Sequence, residues 1–317
     1  MPVDVPPLRF VVVGTPRSGT TLVQALVSEL RGVVVPPETH FLSLFGTGFA
    51  ERHPQGADHA AVREELARYR AAPPVADLSL DPDAVVASLP ATPVGPLAVY
   101  RAIVGHLAPH AEVLGEKTPD HLLWWRPLTT QDVGLRVIWV LRDPRAVVAS
   151  NRNVPFGMAR DALNAERWRL DREQLVAARA ALGDRLLVAR YEDVVADPAA
   201  ARAAFAAHLG RAPEDLVARP PDHALHHERE TWKRRVAEPT TRERVEAWRA
   251  ALAPRDVRRV EAVVGRALSE EGYEVSEGSS AARAWASLAE PIGDRVRRAR
   301  LRHARRARQA AIEGITT

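Results

Sequence analysis

The chain of 317 residues contains no cysteine. Disulfide bonds, thiolate catalysis and cysteine-ligated zinc are therefore excluded. No apolar run reaches the roughly 18 residues that a membrane-spanning helix needs. The first ten residues lack a basic segment leading into an apolar stretch, so we expect no secretory signal and a cytoplasmic protein.

Lysine is almost absent too, since the 44 basic residues include only Lys117 and Lys233. A compact ammonium charge cannot be replaced by a guanidinium group, so a lysine kept in this composition suggests a specific need for it. The excess positive charge lies in residues 281–317, where nine arginines face three acidic residues. The remainder is nearly neutral, and we expect no nucleic-acid partner.

Short apolar segments rich in β-branched residues alternate with helical patterns along the chain. The predicted buried strands are residues 8–13, 135–141 and 185–191, and residues 33–35 form a further short candidate. This alternation predicts an α/β fold with a parallel sheet flanked by helices. We expect one domain over residues 1–275, with a helical insert at 47–112, and a basic tail at 276–317 that is helical or disordered.

Residues 14–21 read GTPRSGTT and lie between a predicted strand and a predicted helix. Backbone N–H groups at such a junction bind phosphate. The segment resembles a nucleoside-triphosphate loop, but Thr20 stands where that loop has its lysine. Arg17 and neighbouring hydroxyls suit a monoester or diester anion instead, and the alternative is an ordinary capped strand–turn–helix junction.

A second anion site is predicted where another strand ends. Arg142 follows the strand at 135–141 directly, and Ser150 lies eight residues later in the next predicted helix. Ligands of open α/β sheets gather at the carboxyl ends of strands, so these two side chains can converge on one phosphate. Asp143 leaves two alternatives open, a local ion pair at a helix start and a metal-binding acid.

These motifs resemble those of sulfotransferases that use 3′-phosphoadenosine 5′-phosphosulfate, because residues 15–21 fully match their T-x-R-S-G-T-T loop. The resemblance covers roughly residues 8–270 and implies a P-loop NTPase-like sulfotransferase fold. It also implies that Arg142 and Ser150 bind the 3′-phosphate and that no metal takes part. The 5′-phosphosulfate would be held by Arg17, Ser18, Gly19, Thr20 and Thr21.

Residues 116–119 read EKTP and resemble a signature of glycosaminoglycan sulfotransferases. The resemblance implies that Lys117 stabilises the charge that develops as the S–O bond breaks, together with Arg17. Residues 38–41 match the E-x-H-F pattern of the same group, which implies Glu38 as general base and His40 as its helper. The alternatives are a surface lysine at Lys117 and a surface glutamate with a half-buried histidine at Glu38 and His40. His121 is a further candidate acid or base.

Two weaker resemblances concern the nucleotide. Tyr191 begins a Y-E-D segment whose tyrosine lies near the adenine in the superfamily, with a tyrosine of the core as the alternative. Lys233 and Arg234 resemble the basic segment that closes over the 3′-phosphate, with a solvated basic turn as the alternative.

The sequence therefore predicts transfer of a sulfuryl group to a hydroxyl of a carbohydrate, a natural product or a phenol. The alternatives are a magnesium-dependent small-molecule kinase and a non-catalytic nucleotide-binding module. Residues 42–112 match no acceptor motif, and the oligomeric state stays open. The arginine-rich tail either contacts an acidic partner or an anionic surface, or remains solvated.

Overall fold

The computed structural model describes residues 5–154, 157–212, 242–276 and 291–315. Its described part contains a five-stranded parallel sheet of order β2-β3-β1-β4-β5, with helices packed around it. The α/β fold class is confirmed. The strands are β1 (Leu8–Gly14), β2 (Val33–Val34), β3 (Val113–Lys117), β4 (Arg136–Leu141) and β5 (Leu186–Arg190).

The helices of the described residues connect the strands and cover the sheet. Several begin at proline, whose fixed φ suits the first helical position. In chain order they are α1 (Thr20–Val27), α2 (Thr47–Arg52), α3 (His59–Arg70), α4 (Pro82–Ala87), α5 (Pro96–Leu107), α6 (Trp125–Gln131), α7 (Pro144–Asn151), α8 (Asp161–Leu182), α9 (Tyr191–Ala196), α10 (Pro198–His208), α11 (Arg242–Glu246), α12 (Trp248–Ala251), α13 (Pro254–Val264), α14 (Ala267–Glu270) and α15 (Ile292–Gly314).

Strand β1 is the centre of the sheet and is buried on both faces. Phe10 and Val12 pack into one apolar cluster, which α1 and α10 complete, whereas Val11 and Val13 pack into the larger cluster on the opposite face. None of these four side chains is exposed. Such burial on both faces explains why the strand is a continuous apolar run rather than an alternating one.

Strand β3 was missed by the sequence prediction. Three of its five residues are Gly115, Glu116 and Lys117, which are not typical strand formers. The strand nevertheless pairs with β1, with Val12 opposite Lys117. Tertiary pairing therefore places the EKTP segment at the carboxyl end of a central strand.

Helices α2 to α5 lie in residues 47–112. Val62 and Leu66 of α3 and Tyr100 of α5 belong to the larger apolar cluster that also contains Val11. The segment is therefore packed on the sheet, and it leads from the Glu38 region back to β3.

The arginine-rich segment near the C-terminus contains α15, a helix of 23 residues. It packs against α8 and also contacts α2 and α6. The division into a domain at 1–275 and a tail at 276–317 stays a prediction. Among the described residues, the structure has no helix with the length and hydrophobicity needed to span a membrane.

Candidate anion-binding and catalytic site

The loop from Thr15 to Gly19 joins β1 to α1 in a tight turn. Ser18 N donates to Thr15 O at 3.0 Å, and Arg17 and Gly19 have positive φ angles of 76° and 97°. A Cβ on Gly19 would lie 2.3 Å from the ring of Tyr191, so the loop can pack here only with glycine. Within the described part of the chain, the buried Ser18 Oγ has no hydrogen-bond partner, which makes it a candidate donor to an anion.

The loop and the second predicted anion site are in direct contact. Arg17 Nε donates to Ser150 Oγ at 3.1 Å, and Arg142 Nη1 donates to Arg17 O at 3.1 Å. Arg142 Nε is buried and finds no hydrogen-bond partner in residues 5–154, 157–212, 242–276 and 291–315. The structure therefore brings Arg17, Arg142 and Ser150 together, close enough for one nucleotide to contact all three.

Aromatic residues from two helices contact Arg142, one at its side chain and one at its backbone oxygen. Its guanidinium lies 4.0 Å from the ring centroid of Tyr191, which starts α9, and Trp168 Nε1 of α8 donates to Arg142 O at 2.9 Å. Tyr191 is 7% exposed and lies between Gly19 and Arg142. The ring packs against both predicted anion sites, which fits a core position. Its contact with adenine stays a prediction.

Asp143 is bound within a structural ion pair. Both carboxylate oxygens accept hydrogen bonds from the Arg145 guanidinium, at 2.7–3.2 Å, and Oδ1 also caps α7 by accepting from Arg145 N. Arg145 Nη1 donates to Glu261 of α13 at 2.8 Å. Of the two alternatives for Asp143, the structure favours the ion pair at a helix start over the metal-binding acid that a kinase needs. The described residues contain no acidic or histidine cluster suited to a metal ion.

Glu192 is a supporting residue that the sequence analysis missed. Its carboxylate accepts from Asp143 N at 3.0 Å and from Tyr273 Oη at 3.1 Å, so it fixes the junction between β4 and α7. Burial raises the pKa of this carboxyl above its ordinary value, although backbone hydrogen bonds oppose the shift. The Y-E-D segment thus supports Arg142 in two ways. The ring of Tyr191 contacts its guanidinium, and the carboxylate of Glu192 fixes the backbone of the next residue, Asp143.

Glu38 and Lys117 form a buried ion pair at the carboxyl end of β3. Lys117 Nζ donates to Glu38 Oε1, and the lysine side chain is fully buried. Glu38 Oε2 lies 3.2 Å from Nε2 of His40, whose side chain is 25% exposed. Glu38, His40 and Lys117, the predicted base, helper and cation, therefore form one contiguous cluster. His40 is its most exposed member.

A second buried carboxylate, Glu116, forms hydrogen bonds with residues that flank this cluster. Its Oε1 accepts from Thr39 Oγ1 at 3.0 Å and from Thr118 Oγ1 at 2.5 Å. Its Oε2 accepts from Tyr100 Oη at 3.1 Å and lies 3.0 Å from His121 Nδ1. Burial acts to raise the pKa of Glu116, but the charge and hydrogen bonds of its partners outweigh burial and lower it. Glu116 therefore stays ionised and fixes the segments on both sides of Lys117.

His121 does not reach the opening of the site. Its side chain is fully buried between Glu116 and Tyr100, whose ring centroid lies 5.3 Å away. The structure thus gives His121 a supporting position rather than the acid or base role considered for it. Glu116 precedes Lys117 directly, yet nothing in the sequence shows that it would gather side chains from Thr39, Tyr100 and His121.

The cluster around Arg142 and the cluster around Lys117 both lie at the carboxyl ends of the parallel strands. Strand β1 is flanked by β3 and β4, so the loop after β1 has Lys117 on one side and Arg142 on the other. Neighbouring strands are about 4.8 Å apart, which sets the scale of the combined site. Lys233 and Arg234 lie outside the described residues.

Comparison with known proteins assigns the family. A family model for the sulfotransferase family matches residues 8–215, about two thirds of the chain. The chain belongs to the sulfotransferase family. A search of curated proteins gives no match.

Solved structures provide a comparison of the fold. The chain is similar to the sulfotransferase domain from the curacin biosynthetic pathway, with 18% identity over 86% of this chain and 100% of that chain, and a TM-score of 0.57. This likeness supports the P-loop-like sulfotransferase fold. Sulfotransferase STF9 from Mycobacterium avium is more distant, with 14% identity over 87% of this chain and 80% of that chain, and a TM-score of 0.46.

Proposed function

We propose that this sulfotransferase moves a sulfuryl group from 3′-phosphoadenosine 5′-phosphosulfate to the hydroxyl of a small-molecule or carbohydrate acceptor. The observation that carries the proposal is the 3.1 Å contact between Arg17 Nε and Ser150 Oγ. It joins two anion-binding segments that are 133 residues apart in the chain. A nucleotide with phosphate groups at both its 3′ and 5′ positions fits such a paired site.

The polar groups present at the two segments suit this donor. On the 5′ side, the Ser18 hydroxyl has no partner in the described structure, and the loop after β1 leads into the N-terminus of α1. On the 3′ side, Arg142 has a buried Nε–H that no described residue accepts, and Ser150 supplies a hydroxyl. Arg17 lies between them, so its charge acts on both sides.

The acceptor side carries the groups needed to move a proton. When bound, the donor supplies an activated sulfuryl group and a phosphate leaving group. Glu38 accepts the proton of the acceptor hydroxyl, and His40 holds the carboxylate at Nε2. Lys117 provides a fixed positive charge for the oxygens on which negative charge accumulates. Its burial strengthens that interaction, because the local dielectric constant is low.

Calorimetry with 3′-phosphoadenosine 5′-phosphate, compared with ATP and magnesium, tests the nucleotide assignment. We expect tight binding of the bisphosphorylated nucleotide and no gain from magnesium. Stronger binding of ATP in the presence of magnesium would instead favour the kinase alternative.

A Glu38→Gln variant separates an enzyme from a non-catalytic binding module. With the sulfated donor and a panel of phenols and carbohydrates, the variant should lose the acceptor-dependent release of 3′-phosphoadenosine 5′-phosphate and keep nucleotide affinity. Glu64→Gln, a change at an exposed glutamate of α3, is the matched control. A wild-type protein that binds the nucleotide and transfers to no acceptor would support the binding module.

A further inference from the structure

The inner face of α15 carries arginines that pair with buried carboxylates of α8. Arg298 and Arg302 donate to Glu166 at 3.1 and 3.2 Å, and Arg305 pairs with Asp171. The side chains of both carboxylates are only 1% exposed. The arginines are spaced by four and three residues, which places them on one face of the helix. The helix is therefore docked through matched charges.

The C-terminal end of α15 is fixed by apolar packing. Ile312 is fully buried and belongs to the larger apolar cluster that contains Val11 and Phe41. Burial of a side chain of this size removes apolar surface from water and therefore opposes undocking of the helix. The helix thus holds a defined position next to the segment that follows Glu38.

Arg308 connects this helix to the proposed catalytic segment. Its Nη2 donates to the backbone oxygen of Ser43, whose Oγ donates to His40 O at 2.9 Å. Leu44 N also donates to His40 O, at 2.9 Å, and this bond closes the turn after His40. His40 has a positive φ of 51°, a conformation that a residue with a side chain rarely adopts without support from its surroundings.

Charged neighbours reinforce this connection. Asp120 pairs with Arg167 of α8, and Arg305, Arg308 and His40 also lie within its electrostatic reach. Burial acts to raise the pKa of Asp120, but Arg167 and Arg305 outweigh that effect and lower it. Asp120 therefore stays ionised between His40 and α15.

We propose that Arg308 is a positioning residue for catalysis: through Ser43 it holds the turn after His40, and thereby the alignment of His40 with Glu38. The arginine-rich helix is then part of the site's acceptor side rather than an appended tail. The catalytic consequence rests on the proposed function, whereas the local ordering of the turn does not.

Hydrogen exchange on the full chain tests the ordering directly. In Arg308→Ala, amide exchange in peptides covering residues 38–47 should accelerate about tenfold, the scale of one charge-assisted hydrogen bond. Exchange in α8 should stay unchanged. Arg308→Lys, which can still donate to Ser43 O, should restore much of the protection. Arg306→Ala, at an exposed arginine of the same helix, should change nothing.

Two results would overturn the proposal. One is unchanged exchange at residues 38–47 in Arg308→Ala. The other is faster exchange spread equally over α8 and α15, which would show that Arg308 only helps to dock the helix.

The reaction of His40 with diethyl pyrocarbonate gives a second readout that general stability does not control. We expect Arg308→Ala to raise the rate and shift its pH profile, because Glu38 covers Nε2 in the ordered turn. An unchanged rate and profile would contradict the alignment role. If the wild type fails to bind 3′-phosphoadenosine 5′-phosphate, the proposed function is wrong, yet both measurements still decide what Arg308 does.

Discussion

Replacing Arg142 with alanine tests the paired anion site most directly. The guanidinium stacks on Tyr191 and donates through Nη1 to Arg17 O, while its buried Nε has no hydrogen-bond partner among the residues that the structure describes. A charge-assisted hydrogen bond contributes about 1.5–3 kcal/mol. We therefore expect Arg142→Ala to raise the Kd for 3′-phosphoadenosine 5′-phosphate by a factor of roughly 10–150.

The assay must separate the loss of a phosphate contact from damage to the loop, since Arg142 also holds the Arg17 carbonyl. Calorimetry with two ligands does this, because adenosine 5′-phosphate lacks the 3′-phosphate and otherwise matches. Arg142→Ala should weaken binding of the bisphosphorylated nucleotide strongly and that of adenosine 5′-phosphate little. The difference between the two ligands is the coupling between Arg142 and the 3′-phosphate.

Ser150→Ala is the companion variant. Its hydroxyl is neutral, so we expect a smaller ligand-specific loss of about 1 kcal/mol. Equal losses for both ligands in Arg142→Ala would show that this arginine acts through the loop after β1. No loss for either ligand would remove Arg142 from the binding site and refute the paired-site reasoning.

Two further predictions concern buried ionisable side chains, Lys117 and His208. Lys117→Met should lower turnover more than nucleotide affinity, and it should destabilise the protein by about 3–5 kcal/mol because it leaves the Glu38 carboxylate buried without its partner. Adding Glu38→Gln should restore stability in urea unfolding without restoring turnover; an equally unstable double variant would contradict this account. His208 has its pKa lowered from 6.5 to about 4 by burial. Between pH 6.5 and about 4, the unfolded chain therefore binds a proton at this histidine that the folded chain does not bind. As the pH falls through this range, the histidine lowers the free energy of unfolding by up to about 1.4 kcal/mol per pH unit. Urea unfolding of His208→Gln should show a shallower loss in acid, and parallel pH curves for the two proteins would exclude this histidine as a cause.

Local patterns in the sequence determine much of the sheet and of the nucleotide site. Strand β1 is a continuous apolar run, and the glycine-containing loop after it leads into α1 as expected. Strands β4 and β5 are found within one residue of the predicted ranges. These elements are predictable because burial on both faces requires uninterrupted apolar residues, whatever the rest of the chain does.

Elements whose stability depends on distant partners were harder to predict. Strand β3 contains residues with low strand propensity and forms because β1 and β2 pair with it. The helix predicted after the loop at residues 14–21 ends already at Val27, and the turn that follows leads into β2. In both cases the sequence signal is weak, since the deciding contacts lie far away in the chain.

By itself, the sequence determined which residue types can bind anions and move a proton, and where along the chain they occur. Only the tertiary structure decided that Arg17 contacts Ser150, that Lys117 pairs with Glu38, and that the basic helix α15 packs beside His40. The physical reason is that a buried charge must find a partner, and which partner it finds depends on how whole strands and helices pack. Composition makes the arginines of α15 look like a solvated tail, whereas the carboxylates of α8 that neutralise them become visible only in the folded protein.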